Sequence, residues 1–284
     1  MIKEYWKLTR FEHSIMLAVA VLIGEVITRP LHSKEIILTL LPPMLVGAAS
    51  FAVNDYFDLK SDRINRRADR PLVAGKIKPV NALLLSIILF ILGTALSAFI
   101  NFNCFLLVAS FSILSFLYSF KLKDVALLGN TYIALTMAVP FIYGGLAVAN
   151  EIPHSILLLS SIAFVSGLGR EIMGTARDVR GDRRGRGSKT LPVLIGVRNS
   201  LLLSSLFYLF GVLLSVIPYL YVEPYKENVF YILPVFLADL ILLYIVFGSL
   251  REPSREFMLL SRKLSLAAMG IALAGFLAGA LIGG

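Results

Sequence analysis

"LTLLPPMLVGAASFAVNDYFDLKSDRINRRADRP" (Leu38–Pro71) passes without a break from 16 uncharged residues to 18 that carry four carboxylates, four arginines and a lysine. The first part is fit for hydrocarbon and the second for water, so the junction marks a membrane surface. The rest of the chain repeats this alternation. It is 57% hydrophobic with a mean hydropathy of +0.81, yet its formal net charge is +9, so the charges are concentrated between apolar stretches. The first apolar run is followed by more of the same kind and by no small-residue cleavage site, which argues against a secretory signal.

A membrane helix needs about 20 mostly apolar residues. Nine windows qualify: 11–29, 35–58, 79–100, 103–120, 125–149, 154–177, 199–221, 228–249 and 263–283. With the N-terminus in the cytoplasm, 24 of the 27 lysines and arginines fall in cytoplasmic segments, and only Arg29, Lys34 and Lys226 fall outside. The expected fold is therefore all-α: a polytopic cell-membrane protein of nine transmembrane helices, N-terminus in, C-terminus out, with its active site on the cytoplasmic side.

Two cytoplasmic loops are alike. Asp62 and Asp182 each have an Asp four residues before (Asp58, Asp178), a basic residue between (Lys60, Arg180) and an Arg four residues on (Arg66, Arg186). They follow the second and sixth spans. One domain over 1–284 is expected, made of repeat halves at about 1–124 and 125–250 plus an extra helix at 263–283.

On a helix, residues four apart share a face, so Asn54, Asp58 and Asp62 project together, with Asp55 about 100° away from Asn54. Asp178 and Asp182 pair likewise. If the second and sixth helices face each other, these carboxylates meet and repel unless a cation lies between them. Oxygen ligands without imidazole or thiolate favour Mg²⁺, and the arginines and lysines around them suit a polyphosphate. Basic clusters beside membrane helices commonly set topology and touch anionic lipid. Topology does not need the acids, and each costs about 2.5–3.5 kcal/mol at a helix centre.

Other chemistries fit less well. His13, His32 and His154 are scattered, which excludes an imidazole cage or a Ser-His-Asp triad, and Cys104 is the single cysteine. A CDP-alcohol phosphotransferase needs Asp-Gly and Ala-Arg at fixed spacing, whereas Asp58 and Asp62 precede Leu59 and Arg63. A secondary transporter places its ionisable groups near mid-membrane. Only Asp239 does so here, with a functional role and a structural partner on a neighbouring helix both open.

Asn54-Asp55-x-x-Asp58-x-x-x-Asp62 and Asp178-x-x-x-Asp182 resemble the paired signatures of the UbiA superfamily of intramembrane prenyltransferases. So do "DRINRRADRPLVAGKI" (Asp62–Ile77), "LYSFKLK" (Leu117–Lys123) with Gly129-Asn130, and "GDRRGRGSKTLPVLIG" (Gly181–Gly196). The resemblance implies a nine-helix bundle that binds an isoprenyl diphosphate through Mg²⁺, its tail lying in a lipid-open tunnel. The candidate metal set is Asn54, Asp55, Asp58, Asp62, Asp178 and Asp182, with Asp58, Asp62, Asp178 and Asp182 also the candidate catalytic residues. Arg63, Arg66, Arg70, Tyr118, Lys121 or Lys123, and Lys189 are the candidate diphosphate contacts. Arg10, His13, Arg170 and Glu171 are candidates for the acceptor side, Glu171 also as a base or a further metal ligand. Phe51 and Phe57, like Tyr118, are candidates to face an allylic cation, with packing the alternative for each.

Within the family the texture is most similar to the archaeal branch that adds a geranylgeranyl group to the free hydroxyl of geranylgeranylglyceryl phosphate, an ether-lipid step. An aromatic, chlorin or haem acceptor is the alternative. The expected partners are isoprenyl diphosphate, a prenylated glyceryl phosphate and the lipid bilayer. No nucleic acid and no obligate protein partner is expected.

Overall fold

A computed structural model describes residues 2–29, 36–64, 67–149, 152–185, 189–251 and 253–282, with the backbone alone for 180–185. The described residues are helical throughout, apart from turns and one isolated bridge. A short α1 (Ile2–Thr9) precedes α2 (Phe11–Thr28), α3 (Ile36–Ile64), α4 (Pro79–Ala98) and α5 (Phe102–Phe120). After a 3₁₀ turn at Leu122–Asp124 come α6 (Leu128–Val148), α7 (His154–Gly185), the short α8 (Leu191–Ile195), α9 (Val197–Tyr221), α10 (Val229–Arg251) and α11 (Arg255–Ile282). Nine of the described helices, all but α1 and α8, are long and apolar enough to cross a membrane. The protein is thus an all-α, multi-pass membrane protein.

Three boundaries differ from the hydropathy windows. The third and seventh helices run on to Ile64 and Gly185, and the last begins at Arg255 rather than near 263. A hydropathy window stops at the first charges, whereas backbone hydrogen bonding does not. The acidic motifs and Arg262 therefore stand on helix extensions that continue the phase of the buried segments.

The packing is that of helices in lipid, where apolar surface gains nothing by turning inward and small residues let backbones approach. Leu84, Ile88 and Ile91 on α4, and Phe236 and Phe247 on α10, point outward. Buried instead are serines such as Ser86, Ser97, Ser204 and Ser261. Several hydroxyls bond across helices, as Ser204 does to the Gly169 carbonyl at 2.6 Å. The bundle closes because α2 packs against α3, α6 and α11, while α3 also touches α7.

The tightest crossing is between α2 and α6. A Cβ on Gly144 would lie 2.0 Å from the Val21 carbonyl oxygen, and one on Gly24 would lie 2.2 Å from that of Phe141. No side chain fits there without separating the helices. We expect Gly144→Val to cost about 1–3 kcal/mol or more, read as a lower thermal midpoint in detergent. Gly270→Ala, where a Cβ meets nothing within 4 Å, should be neutral or slightly stabilising.

Candidate active site

Asn54 and Asp58 lie one helical turn apart near the end of α3, and their oxygens converge on one ammonium group. Lys123 Nζ is 2.6 Å from Asp58 Oδ1 and 3.3 Å from Asn54 Oδ1, and Asn54 Nδ2 donates to Asp58 Oδ2 at 3.1 Å. The Lys123 and Asp58 side chains are only 9% and 13% exposed, so their attraction is little screened. The chain places Lys123 here by ending α5 at Lys121, whose amide donates to the Leu117 carbonyl, and tightening into the 3₁₀ turn. Lys121 is left exposed and Lys123 turns inward. The Lys189 amide donates to the Asp124 carbonyl at 3.0 Å, tying the loop after α5 to the segment after α7.

Asp55 faces elsewhere, as the rotation per residue dictates. It is 2% exposed, and Oδ1 accepts from Arg10 at 3.1 Å and from Arg70. Arg10 breaks the chain between α1 and α2 in the left-handed region, with φ 45°. It stands 4.6 Å above the Phe51 ring, a cation–π contact that with the Asp55 bond offsets the backbone strain. Burial and the neighbouring Arg70 push its pKa down to about 10 while Asp55 acts the other way, so it remains cationic at neutral pH.

On α7, Asp178 accepts from Arg177 through Nε at 2.8 Å and through a second guanidinium nitrogen. Glu171 accepts from Arg170 at 2.6 Å. Both acids, together with Asn54, Asp58, Lys123 and Tyr118, line a single cavity of about 540 Å³. Eight of the nine spanning helices contribute described residues to its wall, α4 being the exception. Its charged groups collect at the end where α3 and α7 carry their acidic motifs. Toward the other end the wall is apolar, with Phe141, Val235, Leu273 and Phe276. Asp239 is the acid of that deeper part, and it accepts from Ser215 on α9 at 2.7 Å.

A long apolar chamber with carboxylates and cations at one mouth suits an amphiphile with a charged head. Residues 15–267 match the UbiA prenyltransferase family. The chain belongs to that family. A digeranylgeranylglyceryl phosphate synthase from Archaeoglobus fulgidus is 37% identical over 281 residues, spanning 98% of this chain and 96% of its own length. A solved structure described as a digeranylgeranylglyceryl phosphate synthase in membranes superposes with a TM-score of 0.76 at 30% identity, over 99% of this chain and 98% of that one. A UbiA homologue from Archaeoglobus fulgidus bound to DMAPP and Mg²⁺ shares the fold, with a TM-score of 0.69 at 22% identity over 99% and 98% of the two chains. The protein is therefore a prenyltransferase.

In this UbiA-family cavity stand nine of the residues picked out by sequence: Arg10, His13, Asn54, Asp58, Tyr118, Lys123, Arg170, Glu171 and Asp178. Of the alternatives after the fourth span, Lys123 and not Lys121 reaches the wall. Asp55 does not line it, being held between Arg10 and Arg70, and Arg70 is drawn to the same carboxylate. Asp62 is half-buried off the wall, and Arg63 and Lys189 are exposed. Arg66 and the side chain of Asp182 lie outside the described residues. Phe51 lines the cavity, while Phe57 packs edge-on against Phe116 and Phe120 away from it. Tyr118 stacks on Tyr132, with ring centroids 4.8 Å apart.

Sequence reading missed Arg177 and Arg262 on the wall. Met258, Arg262, Ser265, Met269, Ala272 and Phe276 line the cavity at helical spacing along α11, a phase that could have been carried back past Lys263. Among the described residues no three His, Cys, Asp or Glu side chains gather around a point that would hold a metal. The donors nevertheless suit a hard cation, because Asn54 Oδ1 and Asp58 Oδ1 already converge on a positive charge. Asp55 is different: its pairing is internal. We expect Asp55→Ala to destabilise the protein by about 3 kcal/mol, at the low end for a broken buried ion pair because both arginines keep some water contact, seen as a fall in Tm.

Proposed function

We propose that this chain transfers a geranylgeranyl group from geranylgeranyl diphosphate to the free hydroxyl of geranylgeranylglyceryl phosphate. The carrying observation is the 37% identity to a digeranylgeranylglyceryl phosphate synthase along nearly the whole chain, joined to a cavity that is charged at one end and apolar along the rest. The donor's diphosphate would lie against Asn54, Asp58, Lys123 and Asp178, with its tail along the apolar wall. Mg²⁺ held by Asn54, Asp58 and Asp178 would neutralise charge on the diphosphate, as fits a fold that carries DMAPP and Mg²⁺ in a homologue.

Ionisation breaks the C1–O bond, and the electron pair leaves with the diphosphate, where Lys123 offsets the growing negative charge. Tyr118, stacked on Tyr132, is the aromatic candidate to stabilise the allylic cation, whereas the Phe51 ring already carries the Arg10 guanidinium. The chamber's apolar side-chain lining would exclude water as a competing nucleophile. The acceptor oxygen then bonds to C1 and gives up its proton, for which Glu171 on the wall is the candidate base.

The halves also support a duplicated reading. In each, the second helix packs between the first and third, α2–α3–α4 in one and α6–α7–α9 in the other, with α11 outside the scheme. The lysine and arginine bias supports a cytoplasmic N-terminus and a cytoplasmic active site.

Asp58→Asn and Asp178→Asn should each lower kcat by about 10²-fold or more. EDTA should abolish turnover and Mg²⁺ restore it, measured with purified protein, labelled geranylgeranyl diphosphate and the glyceryl phosphate acceptor. Full activity in excess EDTA would sink the metal reading. Transfer to 4-hydroxybenzoate or haem alone would move the protein to another acceptor. For topology, in a Cys104→Ser background, Ala68→Cys and Ser254→Cys should react with an impermeant thiol reagent from the cytoplasmic face only, and Lys226→Cys from the outer face only.

A further inference from the structure

The charged end of the cavity holds more positive charge than its own acids neutralise. Arg170 is paired with Glu171 and Arg177 with Asp178, while Arg10 and Arg70 share the single carboxylate of Asp55. Arg262 lines the same cavity from α11 and has no ion-pair partner among the described residues. On the wall at this end Arg10, Lys123, Arg170, Arg177 and Arg262 stand against Asp58, Glu171 and Asp178, five positive charges to three described carboxylates, which leaves two in excess. These groups feel one another: Arg262 is repelled by Arg170 and Arg177, and Arg10 by Arg262. Two nitrogens here are also without a hydrogen bond: the Arg170 Nε–H donor and the His13 Nδ1 ring nitrogen, both buried. Like charges and an unpartnered guanidinium N–H gathered at one cavity wall describe a place for an anion.

That wall is not the one holding Lys123. Asn54, Asp58, Tyr118 and Lys123 come from α3, α5 and the turn after it, with Asp178 added from α7, whereas Arg10 and Arg262 come from the start of α2 and from α11, and Arg170 stands about two helical turns before Asp178 on α7. We infer that Arg262, with Arg10 and Arg170, forms a second anion site that takes the phosphate monoester of the lipid acceptor. This rests on the transfer reaction proposed above and adds a residue to it. The excess of two charges matches a phosphate dianion, and a guanidinium can meet two phosphate oxygens at once. In a glyceryl phosphate the free hydroxyl is at most two carbons from the ester carbon. Fixing the phosphate on this wall therefore holds that hydroxyl inside the same chamber as the donor's C1. A neutral acceptor would leave these groups unpaired and a monoanionic one would satisfy only part of them, so the site also favours a phosphorylated substrate.

The test compares the purified unchanged protein with two variants, Arg262→Gln and Arg262→Lys. Arg262→Gln should raise the KM for geranylgeranylglyceryl phosphate by about tenfold or more, the loss expected of one charge-assisted contact, and leave the KM for geranylgeranyl diphosphate within about twofold. Arg262→Lys should recover part of that loss. The unchanged protein should prefer the phosphorylated acceptor to unphosphorylated geranylgeranylglycerol, and Arg262→Gln should narrow the preference by about tenfold. Because Arg262 is exposed, an unaltered Tm in Arg262→Gln is expected and separates binding from folding. An equal rise in both KM values would assign Arg262 to the donor diphosphate, and no change in either would make it an ordinary helix charge; each result overturns the inference. If the unchanged protein transfers to another acceptor and not to the glyceryl phosphate, the proposed reaction itself fails, a result distinct from the variant's behaviour.

Discussion

Lys123 and Asp58 meet at 2.6 Å where the first acidic helix leaves the apolar bundle. An isolated carboxylate there would have lost much of its water without gaining a partner, a cost of several kcal/mol for a buried ion. The ammonium supplies that partner, and the turn that delivers it sets how the first half of the chain closes. Because the Lys189 amide bonds to the same loop at Asp124, the second half is registered against the first at this point. Removing either charge would take from the other its counterion at 2.6 Å.

The same accounting explains the cations and acids around the mouth. Asp55, Asp178 and Glu171 each have an arginine, and Asp239, farther in, has the Ser215 hydroxyl. Every described acid on the cavity wall is thus compensated by a neighbouring donor. What remains is an excess of positive charge, which suits phosphorylated substrates.

Helix packing serves the chamber as well. Serines and glycines draw the helices together at chosen crossings such as Gly24 with Gly144, while large side chains face lipid. Between the crossings the helices enclose the cavity of about 540 Å³. The apolar lining is then both membrane interior and reaction vessel, excluding the water that would quench a carbocation.

The fold was legible because a membrane imposes strong rules on sequence. Hydropathy located nine spans, and the spacing of Asp58 with Asp62 and Asp178 with Asp182 marked two motifs on helix faces. Local periodicity says which residues share a face, and it placed Asp55 about 100° from Asn54. It does not say what lies opposite a face. Only the tertiary structure decided that Asp55 would be sealed against Arg10 and Arg70, and that Lys123 rather than Lys121 would reach Asp58. Only it carried α11 back to Arg255, bringing Arg262 to the cavity wall. Those outcomes depend on contacts between residues far apart in the chain, 45 positions for Arg10 and Asp55 and 65 for Asp58 and Lys123. Spacing along one helix carries no record of such contacts, because they are fixed by how helices pack and by which buried charge claims the nearest counterion.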